Sequence, residues 1–304
     1  MPSAEHEEIV QQLIDTTSPA DPPTLDQMRE NYDQLMLRYA VADSTTITSH
    51  SADGVGVDLV TTPGADPEQC VAFIHGGGFV LGSVRGYHEY ASRISVATKS
   101  TVALIDYRRA PEAVAPAARE DCVKAYCWLA GRVADTVSLM GDSAGGGLAL
   151  LLGAQLAKSD APTPAAVVAL SPWIDVAVRA EMPDQQVTKD PMLSPAGLRW
   201  FADTYLAGVS GDNPEHNALN ADLTGMPATL LQTGTRDVTH QDSVLFTERA
   251  RAAGVDVVLD VYDGLIHDWH SFGPALPEGK LALARVGDFL TAHAGQGGAV
   301  PAAT

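Results

Sequence analysis

From about residue 55 onward, short apolar runs rich in β-branched residues alternate with longer segments of helical period. The runs are VGVDLV (55–60), CVAFIH (70–75), TVALIDY (101–107), TVSLMG (136–141), AAVVALS (165–171), ATLLQTG (228–234) and VDVVLDVY (255–262). Between most of them lie helix-like stretches at 87–99, 116–131, 144–158 and 240–253, and a last one at 279–293. Strands that are apolar throughout and alternate with helices predict an α/β fold: a mostly parallel sheet covered on both faces. Right-handed crossovers then bring the strand C-terminal ends to one edge, where such sheets bind ligands.

Two regions stand outside this rhythm. In residues 1–45, Thr24-Leu25-Asp26-Gln27 has capping-box spacing, and Leu25, Met28, Tyr32, Leu35, Met36 and Tyr39 recur at helical intervals. Residues 175–227 hold polar turns around one helix-like stretch, SPAGLRWFADTYLAG (194–208), whose Leu198, Phe201, Tyr205 and Leu206 form an apolar stripe. A break of that length inside a compact domain marks a functional loop or small subdomain. The expected organisation is N-terminal helices over 1–45, a catalytic domain from 46–177 and 216–293, an insertion over 178–215, and a disordered tail, AGQGGAVPAAT (294–304).

Composition narrows the function classes. The 304 residues carry a formal charge of −19, which argues against nucleic acid or an anionic membrane surface as partner. Three cysteines, Cys70, Cys122 and Cys127, have neither disulfide-framework nor metal-ligand spacing. The N-terminus MPSAEHEEIVQQLI lacks the basic start and apolar core of a secretory signal, and no apolar window is long enough to span a membrane. A soluble, cytoplasmic protein without metal is expected; a homodimer is left open.

The chemistry concentrates at LMGDSAGGGLALLLGAQLA (139–157). Gly141-Asp142-Ser143-Ala144-Gly145 fits G-x-S-x-G, with a strand before it and a helix after it, the context in which a serine projects from a sharp, strained turn. A serine hydroxyl needs a base, and the base an orienting carboxylate. Asp237 follows the strand ATLLQTG, and His267 follows VDVVLDVY; they are the expected acid and base. Among the nine histidines, His270 is a competitor three residues on, and His240 and Asp242 are read as capping the next helix. Phe73-Ile74-His75-Gly76-Gly77-Gly78-Phe79 runs from a strand into three glycines, whose N–H groups, with that of Ala144, are the expected donors to an oxyanion. Neither phosphate-binding glycine motif is present. Phe201, Tyr205 and Trp269 are expected to line the substrate pocket.

These residues resemble the bacterial hormone-sensitive-lipase-like carboxylesterases of the α/β-hydrolase superfamily over most of residues 65–293. The resemblance rests on His75–Phe79, on Tyr107-Arg108-Arg109-Ala110-Pro111-Glu112, on Gly141–Gly146, on Ser171-Pro172-Trp173-Ile174-Asp175, and on the Asp237 and His267 loops. It implies the triad Ser143, Asp237 and His267, oxyanion donors at Gly77, Gly78 and Ala144, and His75 and Asp142 as structural supports. It also implies a helical cap from 1–45 and 178–215, and no cofactor. The stretches GSVRGYHEYASRIS and TGTRDVTHQDS look closest to small-ester and lactone hydrolases, including those of monoterpene lactones. Asp268-Trp269 departs from the family, where glycine often follows the base; Arg109 and Val238 also depart. The expected function is hydrolysis of small to medium acyl esters through an acyl-enzyme, with lactone opening as the alternative. A hydrolase-like binding protein would keep the pocket and lack the base, and the presence of His267 speaks against it.

Overall fold

The computed structural model of the protein describes residues 2–16, 23–179 and 190–295. Its eight strands are β1 (Thr46–Ala52), β2 (Val55–Thr61), β3 (Asp66–Ile74), β4 (Ser100–Asp106), β5 (Thr136–Asp142), β6 (Val167–Leu170), β7 (Thr229–Gly234) and β8 (Val257–Tyr262). They form one sheet in the order β1-β2-β4-β3-β5-β6-β7-β8. The pairs β1–β2 and β2–β4 are antiparallel and the remaining pairs parallel. Among the described residues the α-helices are α1 (Ala4–Thr16), α2 (Leu25–Met36), α3 (His88–Thr98), α4 (Ala117–Arg132), α5 (Ser143–Leu156), α6 (Pro195–Leu206), α7 (His240–Ala252) and α8 (Pro277–His293).

Strand period 2 divides the apolar runs between two layers of core. In β3, Cys70, Ala72 and Ile74 face the layer shared with α4, α5 and α7, while Val71 and Phe73 face α3 and α8. Both faces are covered, so central strands such as β6, VVAL, are buried at every position. Helix α5 is apolar all round and buried along nearly its whole length, as a helix enclosed on every side requires.

β1 was not foreseen. Its sequence, TITSHSA, is exposed along most of its length and pairs on one side only, so it carries no apolar alternation. The capping box at Thr24 is formed: its hydroxyl accepts from Gln27 N–H, and the Gln27 side chain accepts from Thr24 N–H. Ser194 caps α6 by accepting from Gly197 N–H, with Pro195 at the first helical position. His240 and Asp242 do not cap α7. Its cap residue is Thr239, without a side-chain cap bond, and Asp242 instead accepts the backbone N–H groups of Ile174 and Asp175. The expected insertion lies partly outside the described residues at 180–189, as does the tail from 296 on. Among the described residues, no helix is long and apolar enough to cross a membrane, and no cluster of three or more His, Cys, Asp or Glu residues could hold a metal.

Candidate active site

Four loops at the C-terminal ends of β3, β5, β7 and β8 meet at one point. Ser143 follows β5 and begins α5 with φ +51°, a left-handed conformation that costs a residue with a Cβ about 1–2 kcal/mol. The strain is held by close packing. A Cβ on Gly145 would strike the carbonyl oxygen of Ile74 in β3, and one on Gly141 would strike the carbonyl of Gly145. The missing bulk thus lets the turn press against the neighbouring strand and lift Ser143 Oγ above the sheet edge.

His267 reaches that hydroxyl from the loop after β8. Its Nε2 is 2.9 Å from Ser143 Oγ, and its Nδ1 is 2.9 Å from Asp237 Oδ1. The same Asp237 oxygen accepts from the N–H and the hydroxyl of Thr239, each at 2.8 Å, which fixes the carboxylate to accept from an imidazole protonated at Nδ1. Ser143, His267 and Asp237 are all buried, at 7%, 4% and 0% exposure. His270 is not part of this chain of bonds. It is buried under Trp269, stacked at 3.8 Å, with Nε2 against Gln232 Oε1.

The electrostatics favour a charged imidazole at His267. Burial disfavours the imidazolium, but the Asp237, Asp268 and Asp190 carboxylates and the bond to Asp237 outweigh it, so His267 titrates well above the ordinary imidazole value. Burial likewise opposes ionisation of Asp237, yet the imidazolium and the Thr239 donors hold its carboxyl below the usual range. Asp142 and Asp190, buried beside the site, are each pushed up to about 6, mainly by desolvation.

The glycine loop after β3 is fastened to the serine turn through Asp142. Gly76 N–H donates to Asp142 Oδ1 at 2.8 Å, and Tyr87 O–H donates to Oδ2 at 2.7 Å. Tyr32 of α2 extends this network, its hydroxyl 2.8 Å from that of Tyr87. His75 stacks on Tyr107 at 4.3 Å with Nδ1 2.8 Å from the Gly76 carbonyl, and burial lowers its pKa to about 4, so it serves as a neutral donor. Gly77 and Gly78 then turn at positive φ, +99° and +62°, where Cβ atoms would meet Leu81 and Phe201. Among the described residues their N–H groups donate to no acceptor, and Ala144 N–H lies in the first turn of α5, where helical N–H groups have no intrahelical partner. These are free donors beside the Ser143 hydroxyl.

All of this opens on a cavity of about 750 Å³, lined by Gly77, Gly78, Ser143 and His267 at its polar end. Its walls are mostly apolar: Leu13 from α1, Met28 and Leu35 from α2, Trp173 after β6, and Leu198 and Phe201 from α6. Of the three expected pocket residues, Phe201 lines this cavity and the other two are not among its lining residues. Tyr205 stacks on Phe79 at 4.0 Å within the core. Trp269 has no exposed surface and packs between Tyr262 and His270. Helical period placed Tyr205 on the same stripe as Phe201, but one turn further on the stripe is already under the sheet domain.

Tyr87 and Asp190 were missed. Asp190 Oδ2 accepts the His267 N–H at 2.9 Å and Oδ1 accepts that of Met192, so a segment remote in sequence pins the base's backbone. Tyr87 falls in the stretch GSVRGYHEYASRIS, which gives it no role, and Asp190 in no motif; their spatial partners reveal both.

Comparison with known proteins agrees with this architecture. The profile of the alpha/beta hydrolase fold matches residues 71–271. The acetyl-hydrolase of Streptomyces hygroscopicus is 36% identical over 237 residues, covering 77% of this chain and 79% of that protein. The esterase of Acinetobacter venetianus is 31% identical over 230 residues, covering 75% of this chain and 76% of its own. A solved esterase from the bacterial hormone-sensitive lipase family superposes with TM-score 0.91 at 36% identity, over 97% of this chain and 100% of that one. The chain therefore belongs to the alpha/beta hydrolase family, alongside the bacterial hormone-sensitive-lipase esterases.

Proposed function

We propose that the protein is a serine carboxylic-ester hydrolase acting on small to medium acyl esters through an acyl-enzyme. The observation that carries this reading is the continuous line of 2.9 Å contacts from Ser143 Oγ to His267 Nε2 and from His267 Nδ1 to Asp237, at the floor of a largely apolar cavity. In the first step Ser143 Oγ attacks the ester carbonyl carbon while His267 Nε2 takes its proton. The carbonyl oxygen, now an oxyanion, is held by the N–H groups of Gly77, Gly78 and Ala144, a contribution typically worth about 3–4 kcal/mol per donor. Collapse expels the alkoxide, which takes the proton from His267 and leaves Ser143 acylated. Water, activated by the same imidazole, then attacks the acyl-enzyme, and the acid departs. Asp237 keeps the imidazole in the required tautomer and stabilises its charged form throughout. His75 and Asp142 shape the glycine loop and take no proton.

The test is a panel of p-nitrophenyl esters from acetate to decanoate, with small lactones beside them, run on wild type and Ser143→Ala. Wild type hydrolyses the shorter esters and the variant none of them; equal rates for the two proteins overturn the reading. Phe201 stands against Gly78 at the cavity wall. Phe201→Ala therefore shifts the preferred acyl chain towards longer esters, and an unchanged chain-length profile contradicts its assignment to the pocket.

The pH dependence follows from His267. The general base must be neutral, and the surrounding carboxylates raise its pKa above the ordinary 6.5. kcat/KM therefore rises with pH and its acid limb falls above 6.5; a limb below that value contradicts the electrostatic account.

A further inference from the structure

Asp268, the residue after the base, occupies the site against conformational preference. Its φ of +51° is left-handed, a region where glycine or asparagine sits more easily. The backbone is secured on both sides: its N–H donates to Ser171 Oγ at 3.1 Å, and its carbonyl accepts from the N–H and hydroxyl of Ser271. The side chain, 8% exposed, lines the same cavity as Ser143, Gly77 and Gly78. Among the described residues no hydrogen bond to either carboxyl oxygen is formed. Oδ1 is fully buried without a partner, and Oδ2 lies 3.4 Å from His267 Nε2, whose bond is already directed at Ser143. A buried carboxyl without a donor is costly to keep, and beyond the charge it places beside His267 the triad chemistry makes no use of its oxygens.

Its position says what would use it. Within the ester-hydrolase reading, on which this inference rests, His267 Nε2 returns its proton to the leaving alkoxide, so the ester oxygen must come within hydrogen-bond distance of that nitrogen. Asp268 Oδ2 is next to the same nitrogen. The alcohol portion of the ester therefore passes Asp268 before the acyl chain meets the apolar wall. A hydroxyl on the carbon next to the ester-bearing one, folded gauche, reaches the carboxyl. We infer that Asp268 is a specificity-determining residue that accepts a hydrogen bond from a hydroxyl on the alcohol side, so that monoesters of diols and polyols are the preferred substrates. The carboxyl accepts in this way whether ionised or protonated on its other oxygen.

The experiment compares kcat/KM for 2-hydroxyethyl butyrate and 2-methoxyethyl butyrate, which have similar inductive effects and differ in the donor, the ether being one carbon larger. It uses wild type, Asp268→Gly and Asp268→Asn, both substitutions compatible with the left-handed backbone. Taking the ratio within each protein cancels any change in the basicity of His267. Wild type favours the hydroxyl ester about tenfold, the effect of one net hydrogen bond. The ratio falls to near one in Asp268→Gly and is partly kept in Asp268→Asn, whose amide oxygen still accepts. A wild-type ratio near one, or a ratio unchanged in Asp268→Gly, overturns the inference. p-Nitrophenyl butyrate run in parallel separates the failures. If folded wild type cleaves it while the ratio is near one, the role of Asp268 alone is refuted; if no ester is cleaved, the ester-hydrolase reading itself falls.

Discussion

Ser143→Ala lowers kcat for p-nitrophenyl butyrate by a factor on the order of 10⁶, as removal of a nucleophile does in enzymes of this chemistry. The loss is chemical. Among the described residues the hydroxyl makes one hydrogen bond, to His267, and the turn around it is held by the packing of Gly141 and Gly145 against β3 and α5. Ser143→Gly sharpens the point. It is equally inactive, yet its left-handed backbone is relieved of about 1–2 kcal/mol of strain, against about 0.5–1 kcal/mol of extra unfolded-state entropy for glycine. Urea denaturation of Ser143→Gly therefore gives a stability equal to or above wild type. A variant that is inactive because it is unfolded, or one that is folded and active, contradicts the assignment of Ser143.

The second large effect belongs to Asp237→Asn, with an expected loss in kcat on the order of 10⁴. The asparagine can present its amide nitrogen to His267 Nδ1, which then becomes the acceptor and leaves Nε2 protonated and unable to take the Ser143 proton. Asp237 also contributes to the raised pKa of His267, by its charge and its hydrogen bond. Removing it lowers that pKa, so the acid limb of the residual activity moves to lower pH than in wild type. Steady-state kinetics across pH read both effects. A small rate loss with an unmoved limb would mean that the carboxylate neither orients nor stabilises the imidazole.

How much of this was written in the chain depends on how local the signal is. The parallel core was legible because buried strands such as VVAL and TLLQTG have no polar alternation to hide. That Ser143, Asp237 and His267 would meet was legible because each lies just past such a strand. β1 was not, since an exposed edge strand is held by backbone pairing and leaves no mark in side-chain pattern. Trp269 shows a different limit. Adjacency to His267 suggested the pocket, but one left-handed residue at Asp268 turns the chain, and the indole is packed against Tyr262 and His270 instead. The roles of Tyr87 and Asp190 had no signal, because a buried tyrosine or aspartate is identified by what it bonds, and Asp142 and the His267 N–H are far away in sequence.

Everything argued for this site reduces to one event, the covalent capture of an electrophile by a hydroxyl that an imidazole has activated. The direct measurement is reaction with a fluorophosphonate, read by intact mass and peptide mapping, on wild type and on His267→Ala. The account predicts a single adduct per chain on the peptide carrying Ser143, formed orders of magnitude more slowly in His267→Ala. Absence of an adduct at Ser143 in folded wild type, or labelling just as fast without His267, would contradict it.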